Sequence, residues 1–225
     1  MNIKIHRGLN QIGGCITEIS TATSRIFVDL GQNLPGVGEP TTEEEDQKLV
    51  DELFANNQKE HEAVIYTHAH EDHVGLFHHV SANIPQYIGE GGKEILIAKY
   101  EGIIKIDAQT SRMLDLGTLR NPIPELIKEA NEKRKQLSLT RQKLNILRSF
   151  ITWQRTKPHA VPKSFKVGDI KITPFFNCHS IYDSYMFLIE ADGKRIWHTG
   201  DYREHGYMGK RLFPTLSDMP PILMC

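Results

Sequence analysis

The chain of 225 residues has an ordinary globular composition, with 39% hydrophobic and 24% charged residues and a formal net charge of -1. No apolar run approaches the ~20 residues that a helix needs to cross a bilayer, so we expect no membrane protein and no membrane partner. Three scattered cysteines, none of them in a Cys-x-x-Cys pair, argue against a disulfide framework and for a cytoplasmic location.

Strand signals dominate the first part of the chain. Runs of apolar and β-branched residues predict strands at 2–6, 15–20, 25–29, 63–67 and 86–89. Thr41 and Thr42, followed by three glutamates, predict the start of a helix after a loop rich in Gly and Pro. The strand at 63–67 leads directly into His68-Ala69-His70-Glu71-Asp72-His73, so we expect these histidines at the carboxyl end of a strand.

A helical stretch separates these strands from a second set. Helical pattern resumes at Lys93, and a second helix is predicted from about Pro124 to Gln154. Strands are predicted at 169–176, 185–190 and 195–197, the last two joined by an Asp-Gly turn, and the final residues 221–225 resemble the start of a buried strand. The sequence therefore predicts an α/β protein with a single domain over 1–225 and a helical insertion at about 101–162.

Charge is unevenly distributed along the chain. The segment from Arg120 to Lys171 holds 13 Lys/Arg against 4 Asp/Glu, so it carries +9 while the remainder carries -10. A cationic helix can bind a nucleic-acid backbone through phosphate contacts that are independent of base sequence. A solvated amphipathic helix remains an equal alternative, because charged helix faces are common and no interleaved aromatic residues mark a single-strand channel.

Six His and Asp residues form a candidate metal site. Imidazole nitrogens and carboxylate oxygens are suitable ligands for Zn²⁺, and they also accommodate manganese and iron. We predict a site for two divalent ions made of His68, His70, Asp72, His73, His179 and Asp201. In this arrangement the first two histidines and the one at 179 face one ion, the aspartate and last histidine of the motif face the second, and the aspartate at 201 bridges them.

Such a site predicts hydrolytic chemistry. Two cations roughly 3.5–4 Å apart lower the pKa of a shared water and stabilise charge on the attacked group and the leaving oxygen. Asp72 and Asp201 are the candidate catalytic carboxylates. The remaining histidines are interpreted as ordinary residues, and His78 and His79 are placed on a helix after the motif as packing or solvent residues.

These motifs resemble those of a known family. The run from His68 to His73 is similar to the HxHxDH signature of the metallo-β-lactamase superfamily, and Cys178-His179-Ser180 and Thr199-Gly200-Asp201 resemble its later motifs in the same order. The resemblance implies an αββα sandwich of two mixed sheets flanked by helices. The run from Arg25 to Asp29 resembles the first motif of the family, which implies that Asp29 supports the metal ligands from behind.

Within the superfamily, the motifs look most like the RNA-processing β-CASP and ribonuclease J branch. That likeness implies cleavage of phosphodiester bonds in RNA, with single-stranded DNA as a second possible substrate. Members of this branch continue beyond the aspartate motif, so the likeness also implies a fold that is incomplete after Cys225, whose unpaired final strand favours a homo-oligomer. Two alternatives stay open: hydrolysis of a small ester, thioester or lactone on the same fold, and a catalytically silent metal-binding module.

Overall fold

The computed structural model describes residues 1–34, 36, 41–56, 58–154, 162–205, 209–210, 214, 217 and 223–224. The chain divides into two compact units, of which the first comprises Met1–Gly92 with Phe150–Cys225 and the second comprises Lys93–Ser149. No helix in the described ranges combines the length and the apolar character needed to cross a membrane. The organisation as one domain over 1–225 stays a prediction.

The first sheet of the first unit has six strands in the order β1-β2-β3-β4-β5-β6. These strands are Asn2–Arg7, Ile16–Ser20, Ser24–Val28, His61–Ile65, Gln86–Ile88 and Ile151–Thr152. β1, β2 and β3 form an antiparallel meander, whereas β3, β4, β5 and β6 run parallel. Every residue of β2 and β3 is buried, as expected for strands covered on both faces. The carboxyl ends of β3 and β4 therefore meet at one edge of the sheet.

The second sheet of this unit has five strands in the order β11-β10-β9-β8-β7. In chain order these strands are Phe165–Val167, Ile170–Phe176, Tyr185–Ala191, Lys194–His198 and Leu223–Met224. β11 pairs parallel with β10 and all other neighbours pair antiparallel, so this sheet is also mixed. Of the predicted final strand, residues 221, 222 and 225 lie outside the described residues. The predicted homo-oligomer stays a prediction.

A buried apolar cluster joins the two sheets. Ile26 and Ile65 of the first sheet belong to the same apolar cluster as Ile172 and Phe187 of the second, together with Trp153. Burying an aliphatic side chain of this size contributes roughly 1.5–3 kcal/mol. Buried and partly exposed residues alternate along β8. This pattern fixes the register of the strand, because a slip by one residue would turn its inward-facing side chains outward.

Helical elements of the first unit precede, overlap and follow the histidine motif in sequence. Helix α1 spans Glu43–Ala55 and begins with a capping box formed by Thr42 and Glu45. Helix α2 spans Glu71–Val74, and a 3₁₀ turn follows at Phe77–His79. His78 and His79 lie on this 3₁₀ turn after the motif and not on an α-helix, because α2 ends at Val74.

The second unit is a pair of helices. Helix α3 spans Glu90–Arg120 and helix α4 spans Pro124–Ser149. Basic residues of α4 pair with acidic residues of α3, among them Lys133 with Asp107 at 2.5 Å, Arg134 with Asp115 at 2.5 Å, and Arg148 with Glu101 at 3.0 Å.

The sequence-based end of the second helix was wrong. Helix α4 stops at Ser149 and not near Gln154, because Ile151 and Thr152 pair with β5 as strand β6. These two residues are β-branched, and β-branched side chains fit a pleated sheet better than a helix. The remainder of the predicted insertion reaches into residues 155–161, which lie outside the described residues.

Candidate metal centre

The candidate site forms where β3 and β4 end. β4 ends at Ile65, and the chain continues through two buried residues into His68, which is fully buried. Just after β3, the backbone N–H of Asp29 donates to the carbonyl of Ile65 at 3.0 Å. The carboxylate of Asp29 in turn accepts a hydrogen bond from the backbone N–H of Thr67 at 2.7 Å. These bonds join the first motif to the histidine motif without requiring a cation.

Three imidazoles form a first ligand group. His68 Nε2 lies 3.0 Å from His70 Nδ1, and His179 Nε2 lies 3.3 Å from the same atom. All three offer a ligand nitrogen within 4.8 Å of the others. For a tetrahedral zinc ion with Zn–N bonds of about 2.0–2.1 Å, ligand atoms are about 3.3–3.4 Å apart, so this spacing suits such an ion.

A second ligand group shares one histidine with the first. His68, His73 and Asp201 also place ligand atoms within 4.8 Å of one another. His73 Nε2 lies 3.5 Å from Asp201 Oδ2 and 3.6 Å from Asp72 Oδ2. Asp201 Oδ2 is also 3.7 Å from Nε2 of His179, a member of the first group.

All six predicted ligands therefore lie within one cluster, although two details differ from the expected arrangement. His68 contributes to both groups and not to one alone. Asp72 belongs to neither group of three and contacts the cluster through His73. The position of Asp201 beside members of both groups is the position that a bridging carboxylate requires. The assignment of these residues as metal ligands stays a proposal.

Asp29 fixes the orientation of His73. Nδ1 of His73 lies 2.7 Å from Oδ2 of Asp29, where the N–H donates to the carboxylate. This bond leaves Nε2 directed into the cluster, where it is buried and has no hydrogen-bond partner among the described residues. A buried nitrogen in this situation is unfavourable unless a cation or a proton occupies the space in front of it. The donor set therefore fits a bound metal ion.

Burial keeps three of the imidazoles neutral. It lowers the pKa of His68 to about 3, with a further lowering by the charge on His73, and it also lowers the pKa of His70 and of His179. Neutral imidazoles at neutral pH present lone pairs to a cation. These three residues are therefore ready to bind metal without losing a proton.

His73 and Asp201 behave in the opposite way. Burial lowers the pKa of His73, but the negative charges of Asp29 and Asp201 outweigh it and raise the pKa to about 10. The neighbouring protonated imidazole of His73, whose Nε2 lies 3.5 Å from Asp201 Oδ2, lowers the pKa of Asp201 to about 2. Burial likewise raises the pKa of Asp29, but the charge of His73 and its hydrogen bond through Nδ1 bring the net value below the ordinary one. In the metal-free protein, the protonated imidazole of His73 thus lies between two carboxylates.

Sequence reasoning missed several residues that shape the site. A Cβ added to Gly31 would lie 1.7 Å from the carbonyl oxygen of Asp72, so only glycine allows the segment after β3 to approach the motif. Thr67 donates through its hydroxyl to Asp29, and His198 is a buried neighbour whose pKa is lowered by burial. A signal was available for Gly31, which follows Asp29 by two residues at a strand end.

Cys15 lies near the same carboxylates. Burial, followed by the charges of Asp29, Asp201 and Asp72, raises the pKa of its thiol to about 12. The thiol is therefore protonated at neutral pH in the metal-free protein, and Cys15 belongs to none of the candidate ligand groups among the described residues.

No protein-family model matches the chain. Among solved structures, it is similar to a protein of unknown function from Enterococcus faecalis V583, with a TM-score of 0.62 and 20% identity over 96% of this chain and 47% of the other. It is also similar to a metallo-β-lactamase with a HARLDQ motif from Cronobacter sakazakii, with a TM-score of 0.52 and 10% identity over 94% of this chain and 67% of the other. The chain has the metallo-β-lactamase fold. The predicted fold class, an αββα sandwich of two mixed sheets, is confirmed.

The metallo-β-lactamase fold agrees with the resemblance that the motifs carry, and it confirms that resemblance at the level of the fold. One curated relative is an RNase J-like protein from Methanocaldococcus jannaschii, 28% identical over 220 residues. The match covers 98% of this chain and 40% of the relative, so the chain spans less than half of that protein's length.

Proposed function

We propose that this chain is a metal-dependent hydrolase that cleaves phosphodiester bonds in RNA. The observation that supports the choice of RNA is the RNase J-like relative, whose match covers 98% of this chain. The hydrolytic chemistry is supported by the two ligand groups that share His68. With RNA as substrate, we also propose a cytoplasmic location.

The residues of the cluster would bind two divalent cations. His68, His70 and His179 would hold one divalent cation, and His73 with Asp201 would hold a second, with Zn²⁺ as the best match and Mn²⁺ or Fe²⁺ as alternatives. When bound, two such cations supply a water of lowered pKa and a positive charge for a phosphate oxygen.

The two proposed catalytic carboxylates have separate tasks. Asp201 would supply negative charge between the two groups and so offset the repulsion of two cations. Asp72, whose Oδ2 lies 3.6 Å from His73 Nε2, would orient a water molecule at the edge of the cluster. Asp29 accepts a hydrogen bond from the Nδ1–H of His73, which would leave Nε2 available to the second cation.

The second unit is proposed to contact the RNA backbone. Between Lys93 and Ser149 the chain has 12 Lys/Arg and 7 Asp/Glu, a net charge of +5. Three of the basic residues of α4 are engaged by α3 in the ion pairs described above, which reduces the charge available to a ligand. Lys135 and Arg141 are exposed and take part in no ion pair among the described residues, so they are the best candidates for phosphate contacts.

The test is an assay of the full chain loaded with Zn²⁺ or Mn²⁺. End-labelled RNA, end-labelled single-stranded DNA and a model thioester are offered separately to the same preparation. We expect RNA cleavage, and we expect the His70→Ala variant to lose at least about 100-fold in rate because one ion loses a ligand. His61→Ala is the matched control, since this partly exposed histidine lies outside the cluster, and it should keep the wild-type rate.

The outcomes separate the competing functions. Thioester hydrolysis without RNA cleavage would replace the proposal with small-molecule hydrolysis on the same fold. Tight metal binding with no hydrolysis of any of the three substrates would instead identify a catalytically silent module.

A further inference from the structure

We propose that Glu43, His78 and His79 form a third divalent-cation site, separate from the cluster around His68. His78 Nε2 lies 3.0 Å from Oε2 of Glu43, and His79 Nε2 lies 3.3 Å from the same oxygen. The three ligand atoms lie within 4.8 Å of one another, and all three residues belong to the first unit. The inference does not depend on the proposed ribonuclease activity.

Gln47 determines which ring nitrogen of His79 carries the proton in the neutral imidazole. The side-chain amide nitrogen of Gln47 donates to the carboxylate of Asp51 at 2.9 Å and to the carbonyl of His79 at 3.3 Å. Because a carboxylate only accepts, these bonds fix the orientation of the amide and place its oxygen 2.8 Å from Nδ1 of His79. Nδ1 must therefore carry the proton, and in the neutral imidazole Nε2 carries a lone pair.

That lone pair is directed at a carboxylate. Nε2 of His79 and Oε2 of Glu43 are both electron-rich when the imidazole is neutral, so their separation of 3.3 Å favours a positive charge shared between them. A divalent cation bound by both atoms would supply that charge. Metal-binding histidines commonly donate a hydrogen bond from the ring nitrogen that does not bind the metal, and the bond from Nδ1 of His79 to Gln47 is of this kind.

The spacing of the three atoms matches a small, tetrahedral ion. Ligand atoms around zinc are about 3.3–3.4 Å apart, given metal–ligand bonds of about 2.0–2.1 Å, and the two measured separations are 3.0 and 3.3 Å. The imidazole side chains are 13% and 6% exposed, whereas that of Glu43 is 70% exposed. Two nitrogens from a sheltered turn and one oxygen from the surface leave a fourth position open to water. Zn²⁺ is therefore the cation class that this site best fits.

A bound ion would fasten two elements that are distant in sequence. Glu43 is the first residue of α1, while His78 and His79 form the 3₁₀ turn that follows the histidine motif. Cross-linking them stabilises the folded state by the binding free energy of the ion, as for other structural metal sites. The role proposed for the third ion is therefore structural.

The experiment measures bound zinc by elemental analysis after excess metal is removed from the full chain. We expect the His78→Gln/His79→Gln double variant to hold one zinc ion fewer per chain than the wild type. The exposed His61→Gln variant is the control and should hold the wild-type number. Equal zinc content in the wild type and the double variant would overturn the proposal, whatever the total number is.

A second variant tests the same site without relying on the double variant to fold correctly. Glu43→Gln keeps the size of an exposed side chain, and Glu44→Gln, its neighbour in the first turn of α1, is the matched control. We expect Glu43→Gln to weaken zinc binding at this site at least tenfold in a chelator titration, while Glu44→Gln leaves it unchanged. A wild-type titration curve for Glu43→Gln, or equal weakening in both variants, would also overturn the proposal.

Discussion

Asp29 connects the backbone of the site to the chemistry of its ligands. It has φ of 62°, in the left-handed region, and it is fully buried. Its carboxylate accepts hydrogen bonds from Thr67 and from His73. A non-glycine residue in this conformation is uncommon, although Asp and Asn tolerate it better than other residues. One side chain thus holds the turn after β3, the turn after β4 and a proposed metal ligand.

The Asp29→Asn variant tests this role. Asparagine tolerates the same backbone angle but lacks the negative charge that orients and polarises His73, so we expect zinc affinity to fall about 10- to 100-fold. Competition with a chromogenic chelator measures the affinity. Asp192→Asn is the matched control, because Asp192 also has a positive φ but lies at the β9–β10 turn. Unchanged affinity in Asp29→Asn would contradict the supporting role assigned to this residue.

Protonation of His73 predicts that metal binding releases a proton. Its pKa in the metal-free fold is about 10, so at pH 8 the imidazole is protonated, and a cation can reach Nε2 only when a proton leaves. The apparent affinity for zinc should therefore increase as the pH rises towards 10. Calorimetry in two buffers of different ionisation enthalpy measures the release, which should be roughly one proton larger in the wild type than in Asp29→Asn. Equal proton release in the two proteins would refute this account.

At the scale of elements, the closest contact in the site is between backbones. Gly31 lies against the carbonyl of Asp72, which also accepts a hydrogen bond from the N–H of Cys15 at 3.1 Å. The N–H of Leu30 donates to the carbonyl of His73 at 2.8 Å. The segment after β3 and the histidine motif are therefore packed with no space for a side chain between them.

Gly31→Ala should separate these two segments. The added methyl group meets backbone and not a movable side chain, so we expect a loss of more than about 2 kcal/mol in the free energy of unfolding, with weaker metal binding. Chemical denaturation measures the change. Gly102→Ala, within α3, is the control: its Cβ meets no atom of the described residues within 4 Å, and it should stabilise the chain by about 0.5–1 kcal/mol. A wild-type stability for Gly31→Ala would contradict the packing described.

Sequence patterns predicted most elements because their signals are local. The strand before the motif, the capped start of α1 and the Asp-Gly turn between β9 and β10 each depend on a few neighbouring residues. β6 and β7 were missed, since Ile151–Thr152 and Phe165–Val167 are too short to show periodicity and exist by pairing with other strands.

The six candidate ligands were found because their spacing is characteristic. The cluster of Glu43 with His78 and His79 was missed, because its members are joined only by the packing of α1.

At the scale of the whole molecule, charge is divided between the two units. The second unit carries +5 and the rest of the chain carries -6, counting Lys, Arg, Asp and Glu. The positive charge of the second unit attracts a phosphate backbone, and the net negative charge of the rest of the chain repels it. If RNA binds through the second unit, its affinity depends on salt concentration in proportion to the number of phosphates that are neutralised.

The Lys135→Gln/Arg141→Gln double variant tests this dependence. In an otherwise inactive His70→Ala background, binding of single-stranded RNA is measured at several salt concentrations. We expect weaker binding and a slope of log affinity against log salt that is smaller by about 1.4, or about 0.7 for each lost contact. Lys4→Gln/Lys194→Gln removes the same charge from exposed positions of the first unit and should leave the slope unchanged. Slopes that do not differ between the two variants would exclude these residues as phosphate contacts.

The hydrogen bonds that join Asp29 to Thr67, Leu30 to His73 and Cys15 to Asp72 have a further consequence. None of them involves an ion, so the backbone that carries the proposed ligands is held in place by the chain's own hydrogen bonds. If the proposed site binds metal, loading or exchanging an ion would then require no refolding of these segments.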